Sequence, residues 1–309
     1  MRWSGFVLLA LAYVLVFFHR MAPAVVSPDL QTAFAVDATR LGVLAASYYY
    51  IYTLMQPLSG LAADMLGPRL AVGLLGLVGG VGSIVFGLAD TFAVASIGRL
   101  LVGFGVAFVF VGLMKYNSVW FHHSVYGRVS GFTLLLGNLG AVLASGPLAV
   151  LLGLASWRTV FVVLGIVAIA LSVAILLFVR LPANHQHHRQ KPWHILRLPG
   201  IRWGALAMFG TVGNVFAFAG LWSLPMLQDR VAMSRDAASA YVTVLMLALA
   251  FGALSAGWIS DHLGRRRPLA ITGAALITLG FVLLALLPWT PGISVAVLFV
   301  VLGMGGGWV

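Results

Sequence analysis

Two arginines stand inside apolar runs, where a charge is costly. Arg20 lies deep in the first run, within YVLVFFHRMAP, and Arg99 opens Arg99-Leu-Leu-Val-Gly103-Phe-Gly105 in the fourth. A guanidinium persists at such depth by facing a cavity, by pairing internally, or by snorkelling to the interface. Facing a cavity, Arg20 would attract a carboxylate or phosphate and hold it through two parallel hydrogen bonds. His19 precedes it and cannot share its helical face; the imidazole is either a packed ring or a proton-sensitive group.

Uncharged polar groups accompany these cations. Tyr48 and Tyr52 are four apart and share one helical face, while Tyr49 and Gln56, seven apart, share a neighbouring one. Such hydroxyls and amides line a hydrated path and orient a solute, or else form an aromatic packing stripe. Asn138 and Asn214 fall at mid-depth of two later runs, where each needs either a cavity or an interhelical hydrogen bond. No acidic residue falls in the middle of any predicted span. Arg99 therefore has no evident ion-pair partner there, and a proton relay would need Asp37 or a helix beyond this chain.

The elements that carry these residues follow from composition. The chain of 309 residues is 61% hydrophobic and 8% charged, with 36 glycines and no cysteine. A soluble domain carries about 25% charged residues, so this is a membrane protein. Disulfides and thiolate metal sites are excluded. The net charge of +11 is spread over helix ends rather than gathered on one face, which argues against nucleic acid. His185, His187, His188 and His194 sit in a basic segment without acidic partners, and no metal site is assigned to them.

At about 20 apolar residues per crossing, ten spans are expected. Their approximate limits are 6–26, 41–62, 70–88, 92–112, 129–151, a sixth ending at 178, a seventh from 202 to 226, 238–259, 269–287, and a tenth from 292 into the C-terminus. The first is read as a retained helix, since no small-residue cleavage site follows it. Residues 27–40 read as a polar external segment and Lys115 to Arg128 as an inner loop. With the N-terminus inside, the inner segments hold 12 of the 18 basic residues and only Asp64 and Asp261 of the seven acids. The positive-inside preference selects that orientation. Trp222 and Pro225 mark the outer end of the seventh span, as an interface anchor and a bend.

One polar interruption occurs twice. Gly60-Leu-Ala-Ala-Asp64-Met-Leu-Gly67-Pro-Arg69 returns as Gly257-Trp-Ile-Ser-Asp261-His-Leu-Gly264-Arg-Arg266, with all four shared positions displaced by 197. A duplicated structural unit explains the constant offset. Physically, the aspartates suit nearby helix N-termini, Gly60 and Gly257 suit close helix approach, and the arginines anchor a membrane surface. The duplicated pattern resembles that of the major facilitator superfamily of secondary transporters, between the second and third helices of each half. Arg99, Gly103 and Gly105 resemble the family's Arg-x-x-x-Gly-x-Gly pattern. Gly146-Pro147 resembles part of its antiporter motif, without the following glycine pair.

The resemblance implies an all-α polytopic membrane protein with the major facilitator fold. It implies a complete six-helix first half over residues 1–180, a cytoplasmic basic linker over 181–201, and about four helices of a second half over 202–309. Family members have two further spans, so the chain reads as C-terminally truncated. The implied function is transport by alternating access, with no enzymatic catalysis and no cofactor. Gly60, Asp64, Gly67, Arg69, Arg99, Gly103, Gly105, Gly146, Pro147, Gly257, Asp261, Gly264 and Arg266 are the gating or coupling candidates. Arg20, Tyr48, Tyr52, Gln56, Asn138 and Asn214 are the substrate-cavity candidates. Their chemistry favours uptake of a small organic anion by a monomer in a cytoplasmic or bacterial inner membrane, with a proton as the candidate coupling ion. Efflux of a hydrophobic or cationic compound by proton antiport, and a non-transporting receptor or scaffold, are the alternatives.

Overall fold

Long apolar runs in lipid must satisfy every backbone group internally, which favours helices throughout. In the computed structural model every element is helical among the described residues, which are 2–182, 199–263, 267–286, 288–289 and 292–309. The helices are α1 (Arg2–Phe34), α2 (Ala38–Met65), α3 (Gly67–Gly87), α4 (Phe92–Val106), α5 (Val109–Trp120), α6 (His123–Leu143), α7 (Gly146–Leu151) and α8 (Trp157–Phe178). They continue as α9 (Pro199–Gly210), α10 (Val212–Ala217), a π-helical turn over Phe218–Trp222, α11 (Ser223–Val231), α12 (Arg235–Leu263), α13 (Arg267–Leu286) and α14 (Ile293–Trp308).

Among the described residues, eight helical stretches are long and apolar enough to cross a membrane. Two of the ten predicted spans fall outside that set. α14 is short, at 16 residues. α2 has the length, at 28 residues, but carries Ser47, the tyrosines, Gln56 and Ser59 along it, which lowers its apolar character. The predicted fourth, fifth and seventh spans are each a run of consecutive helices, α4–α5, α6–α7 and α9–α11. Chain breaks have local causes. Pro147 has no N–H to continue α6, so the chain turns at Ala144–Ser145 and restarts with Gly146. The π-turn ends three residues before Pro225, whose ring clashes with a regular helical carbonyl four residues earlier.

Two boundaries differ from the sequence expectation. The external segment after Val26 is helical as far as Phe34, because Leu30 is buried and the Phe34 ring lies 5.9 Å from Trp157 and 6.4 Å from Phe92. Asp37 then caps α2, accepting a hydrogen bond from the Arg40 amide at 2.8 Å. The inner loop begins later than expected, since buried Leu113, Tyr116 and Asn117 keep α5 wound to Trp120.

The chain divides into two compact units. One comprises Met1–Arg20, Val26–Ser130 and Leu151–Pro192; the other comprises Met21–Val25, Gly131–Val150 and Trp193–Val309. In the first, α3 is the central helix, packed on α4 and on α8 through glycines: an added Cβ at Gly80 would lie 3.0 Å from the Gly165 carbonyl oxygen. In the second, the glycine-rich end of α14 packs on α12 and α13, with Gly252 and Gly273 at the contacts.

Candidate functional site

The site is built on α4. Arg99 is 1% exposed and projects toward α1 and α2. Its Nη1 donates to the His19 carbonyl at 3.0 Å, and its guanidinium carbon lies 4.7 Å from the centre of the Tyr48 ring. Nε and Nη2 have no hydrogen-bond partner among the described residues. One turn along the same face, Gly103 makes room for Tyr48: a Cβ there would stand 2.6 Å from the Tyr48 carbonyl oxygen. Gly105 faces α3 instead, against the backbone of Gly79. The close packing expected of these two glycines is present, and it is Gly103 that seats α2 against Arg99.

From α2, Tyr48 is fully buried and stacks on Tyr52, with centroids 5.9 Å apart and planes 13° from parallel. Tyr52 in turn meets Arg20 of α1, whose guanidinium carbon is 5.0 Å from its ring centre and 4.9 Å from that of Phe17. Arg20, Tyr52, Tyr48 and Arg99 thus form an unbroken series of contacts between three helices. Guanidinium–aromatic contact suits both cations in a low dielectric. Tyr49 packs edge-on to Tyr48 at 5.2 Å, and its buried hydroxyl has no partner among the described residues. Gln56 donates to the Ala107 carbonyl at 3.4 Å, a group freed by the break between α4 and α5.

His19 faces away from Arg20, as their adjacency requires. It is 2% exposed, its ring lies 5.8 Å from that of Phe161 in α8, and it lines a cavity of about 30 Å³ with Gly76, Gly80 and Ser172.

The duplicated motif is well defined in its first copy. Gly67 has φ +76°, a left-handed conformation that makes glycine the favoured residue between α2 and α3. Asp64 pairs with Lys115 of α5 at 2.7 Å. Arg69 donates through Nε to the Leu176 carbonyl at 2.6 Å, satisfying an end carbonyl of α8. The first-copy aspartate is thus held by a cation that sequence reading assigned to the inner loop. Among the described residues, nothing lies within 4 Å of a Cβ built at Gly60 or Gly257. In the second copy Asp261 lies in α12, while Gly264 and Arg266 are outside the described residues, as are the histidines at 185, 187, 188 and 194 and most of the linker.

In the second unit, Asn138 is 3% exposed and its Oδ1 has no partner among the described residues. Asn214 is exposed and donates to the Gly210 carbonyl of its own helix at 2.8 Å. The Gly146 amide donates to Thr243 Oγ1 at 2.9 Å, and that hydroxyl bonds Ser145 Oγ at 3.0 Å. Thr243 and Ser145 escaped the sequence reading; a threonine on an otherwise apolar helix was the available signal. Trp222 is exposed.

These features define an integral multi-pass membrane protein whose buried polar contacts join its helices. Residues 9–309 match the family model of the Major Facilitator Superfamily, and the chain belongs to that family. Among curated relatives, the "Probable sulfoacetate transporter SauU" of Cupriavidus necator is 26% identical over 161 residues, covering 52% of this chain and 37% of its own length. The hexuronate transporter of Escherichia coli K12 is 24% identical over 187 residues, covering 60% of this chain and 43% of its own. The chain therefore spans less than half the length of either. A solved bacterial homologue of the human lysosomal transporter Spinster, inward-facing and occupied, superposes with a TM-score of 0.73 at 19% identity. It covers 99% of this chain, which spans 72% of that one, and the likeness is one of fold.

Proposed function

We propose that this chain belongs to a secondary transporter that takes up a small organic anion by alternating access. In this reading residues 1–180 form the six-helix first half, 181–201 a cytoplasmic linker, and 202–309 about four helices of the second half. The N-terminus is cytoplasmic, as the basic residues require. The observation that carries the reading is the contact series Arg20–Tyr52–Tyr48–Arg99. Two guanidinium groups and a tyrosine pair, with donors on Arg99 unmatched by the described residues, present what a carboxylate, sulfonate or phosphate accepts. The relatives add weight, since sulfoacetate and hexuronate are both organic anions. In alternating access the two halves rock about a central solute, and the loop joining α2 to α3, with Asp64 on Lys115 and Arg69 on α8, is the element we assign to gating.

The test is uptake into proteoliposomes of a labelled pool of sulfonates and sugar acids, with and without an inward proton gradient. The full reading frame and this chain are run in parallel. Saturable uptake lost in Arg20→Gln supports the proposal, and gradient stimulation adds proton coupling. Uptake unchanged by that substitution overturns anion recognition by Arg20. Competition by hydrophobic cations alone would favour the efflux reading suggested by Gly146-Pro147.

A further inference from the structure

At one end of the first unit, the start of α1 and the end of α8 bound a groove of about 640 Å³. Its walls change character along their length. Val7, Leu177, Trp3 and Phe178 give it an apolar lining, and Arg180 adds a guanidinium to it. Val7 lies four residues into the helix from Trp3, a rise of about 6 Å. The apolar walls are exposed, and the tryptophan has the amphipathic character of an interfacial residue.

At this end the main chains of two arginines are held in place. Tyr116 donates its hydroxyl to the Arg2 carbonyl at 2.9 Å, and Trp120 donates its indole N–H to the Arg180 carbonyl at 3.1 Å. One short helix, α5, therefore pins both arginines by their main chains. The Arg2 and Arg180 guanidinium groups are exposed and make no hydrogen bond to the described residues. Arg69 adds a third guanidinium, held on the carbonyl of Leu176 next to the groove wall. Asp64, in the last turn of α2, is already paired with Lys115.

We infer that this groove binds an anionic phospholipid, its phosphate between Arg180 and Arg2 and its first acyl segment along Val7 and Leu177. A phosphodiester supplies the countercharge, guanidinium groups match its oxygens in pairs, and the apolar wall below is what an acyl chain covers. The segment after Pro182 is a poor occupant, because it brings Arg189, Lys191 and Arg197 toward cations already present. The site is separate from the Arg20–Arg99 series and does not rest on the transport reading.

The test is native mass spectrometry of the full chain released from nanodiscs containing equal amounts of phosphatidylglycerol and phosphatidylethanolamine. Retained phosphatidylglycerol should exceed phosphatidylethanolamine, and R2Q/R180Q should lower that enrichment roughly fivefold or more. Val7→Trp, which fills the groove and leaves the arginines intact, should do the same. Ile166→Trp, on an exposed face elsewhere on α8, should not. Should the double variant fail to insert, R180Q and Val7→Trp decide the matter alone. Equal retention of the two lipids, or enrichment untouched by both groove variants, overturns the inference. So does a photoreactive side chain at Val7 that captures residues 183–198 in place of lipid.

Discussion

Arg99 and Tyr48 come from helices that the chain separates by half a hundred residues, yet the guanidinium carbon of one lies 4.7 Å from the ring centre of the other. The contact depends on Gly103, one turn beyond Arg99, which removes the side chain that would hold α2 away. A buried arginine with one hydrogen bond is a costly way to join helices. Its expense makes sense if the remaining donors meet a ligand.

Arg99→Met should therefore separate stability from function. A buried ion carries a desolvation penalty of several kcal/mol, which an apolar side chain of similar length does not. Thermal unfolding in detergent is expected to rise or hold, while uptake falls by tenfold or more, on the order of the 1.5–3 kcal/mol of one charged hydrogen bond. A fall in both would make Arg99 a structural residue. Arg99→Lys should not rescue uptake, because an ammonium lacks the planar fork.

The tyrosine pair divides by atom. Tyr48 reaches the Val16 carbonyl at 3.4 Å, a long contact, so Tyr48→Phe should cost less than about 1 kcal/mol. Tyr48→Ala empties a fully buried site and should cost about 3–5 kcal/mol, as truncation of a large aromatic does. Tyr52→Phe keeps the ring beneath Arg20 and should keep uptake; Tyr52→Leu should lose it.

Gly103 and Gly60 make a matched test of what a methyl group does. Gly103→Ala forces α4 off the Tyr48 backbone and should destabilise by about 1–3 kcal/mol. Gly60→Ala meets nothing within 4 Å and should stabilise its helix by up to ~1 kcal/mol. If Gly60→Ala nevertheless slows transport, the constraint lies in another conformation of the cycle, which would support its assignment to gating.

The Asp64–Lys115 pair is partly exposed, with side chains 42% and 27% accessible. Its worth to stability should be within about 1 kcal/mol, so Asp64→Asn should unfold nearly as the parent does. A change in the rate of exchange between inward- and outward-facing states, measured with spin or fluorescent labels, is the expected consequence. Recovery in the charge-swapped pair D64K/K115D would identify the interaction itself as the cause.

Much of the fold is legible in the chain alone. Apolar runs of bilayer length dictate helices because lipid offers backbone groups no other partner. The offset of 197 between Asp64 and Asp261 shows one motif recurring, and adjacency alone sets His19 and Arg20 on different faces. The identity of each partner was not legible. Periodicity says which face a residue occupies but not which helix lies opposite, or at what height. Arg99 meets the carbonyl of His19 across 80 positions, and Gly146 meets Thr243 across 97. Asp64 finds Lys115 because buried Tyr116 and Asn117 carry α5 past its apolar stretch. Such pairings follow from the rotation and depth at which whole helices pack, and those are set by every contact along them at once.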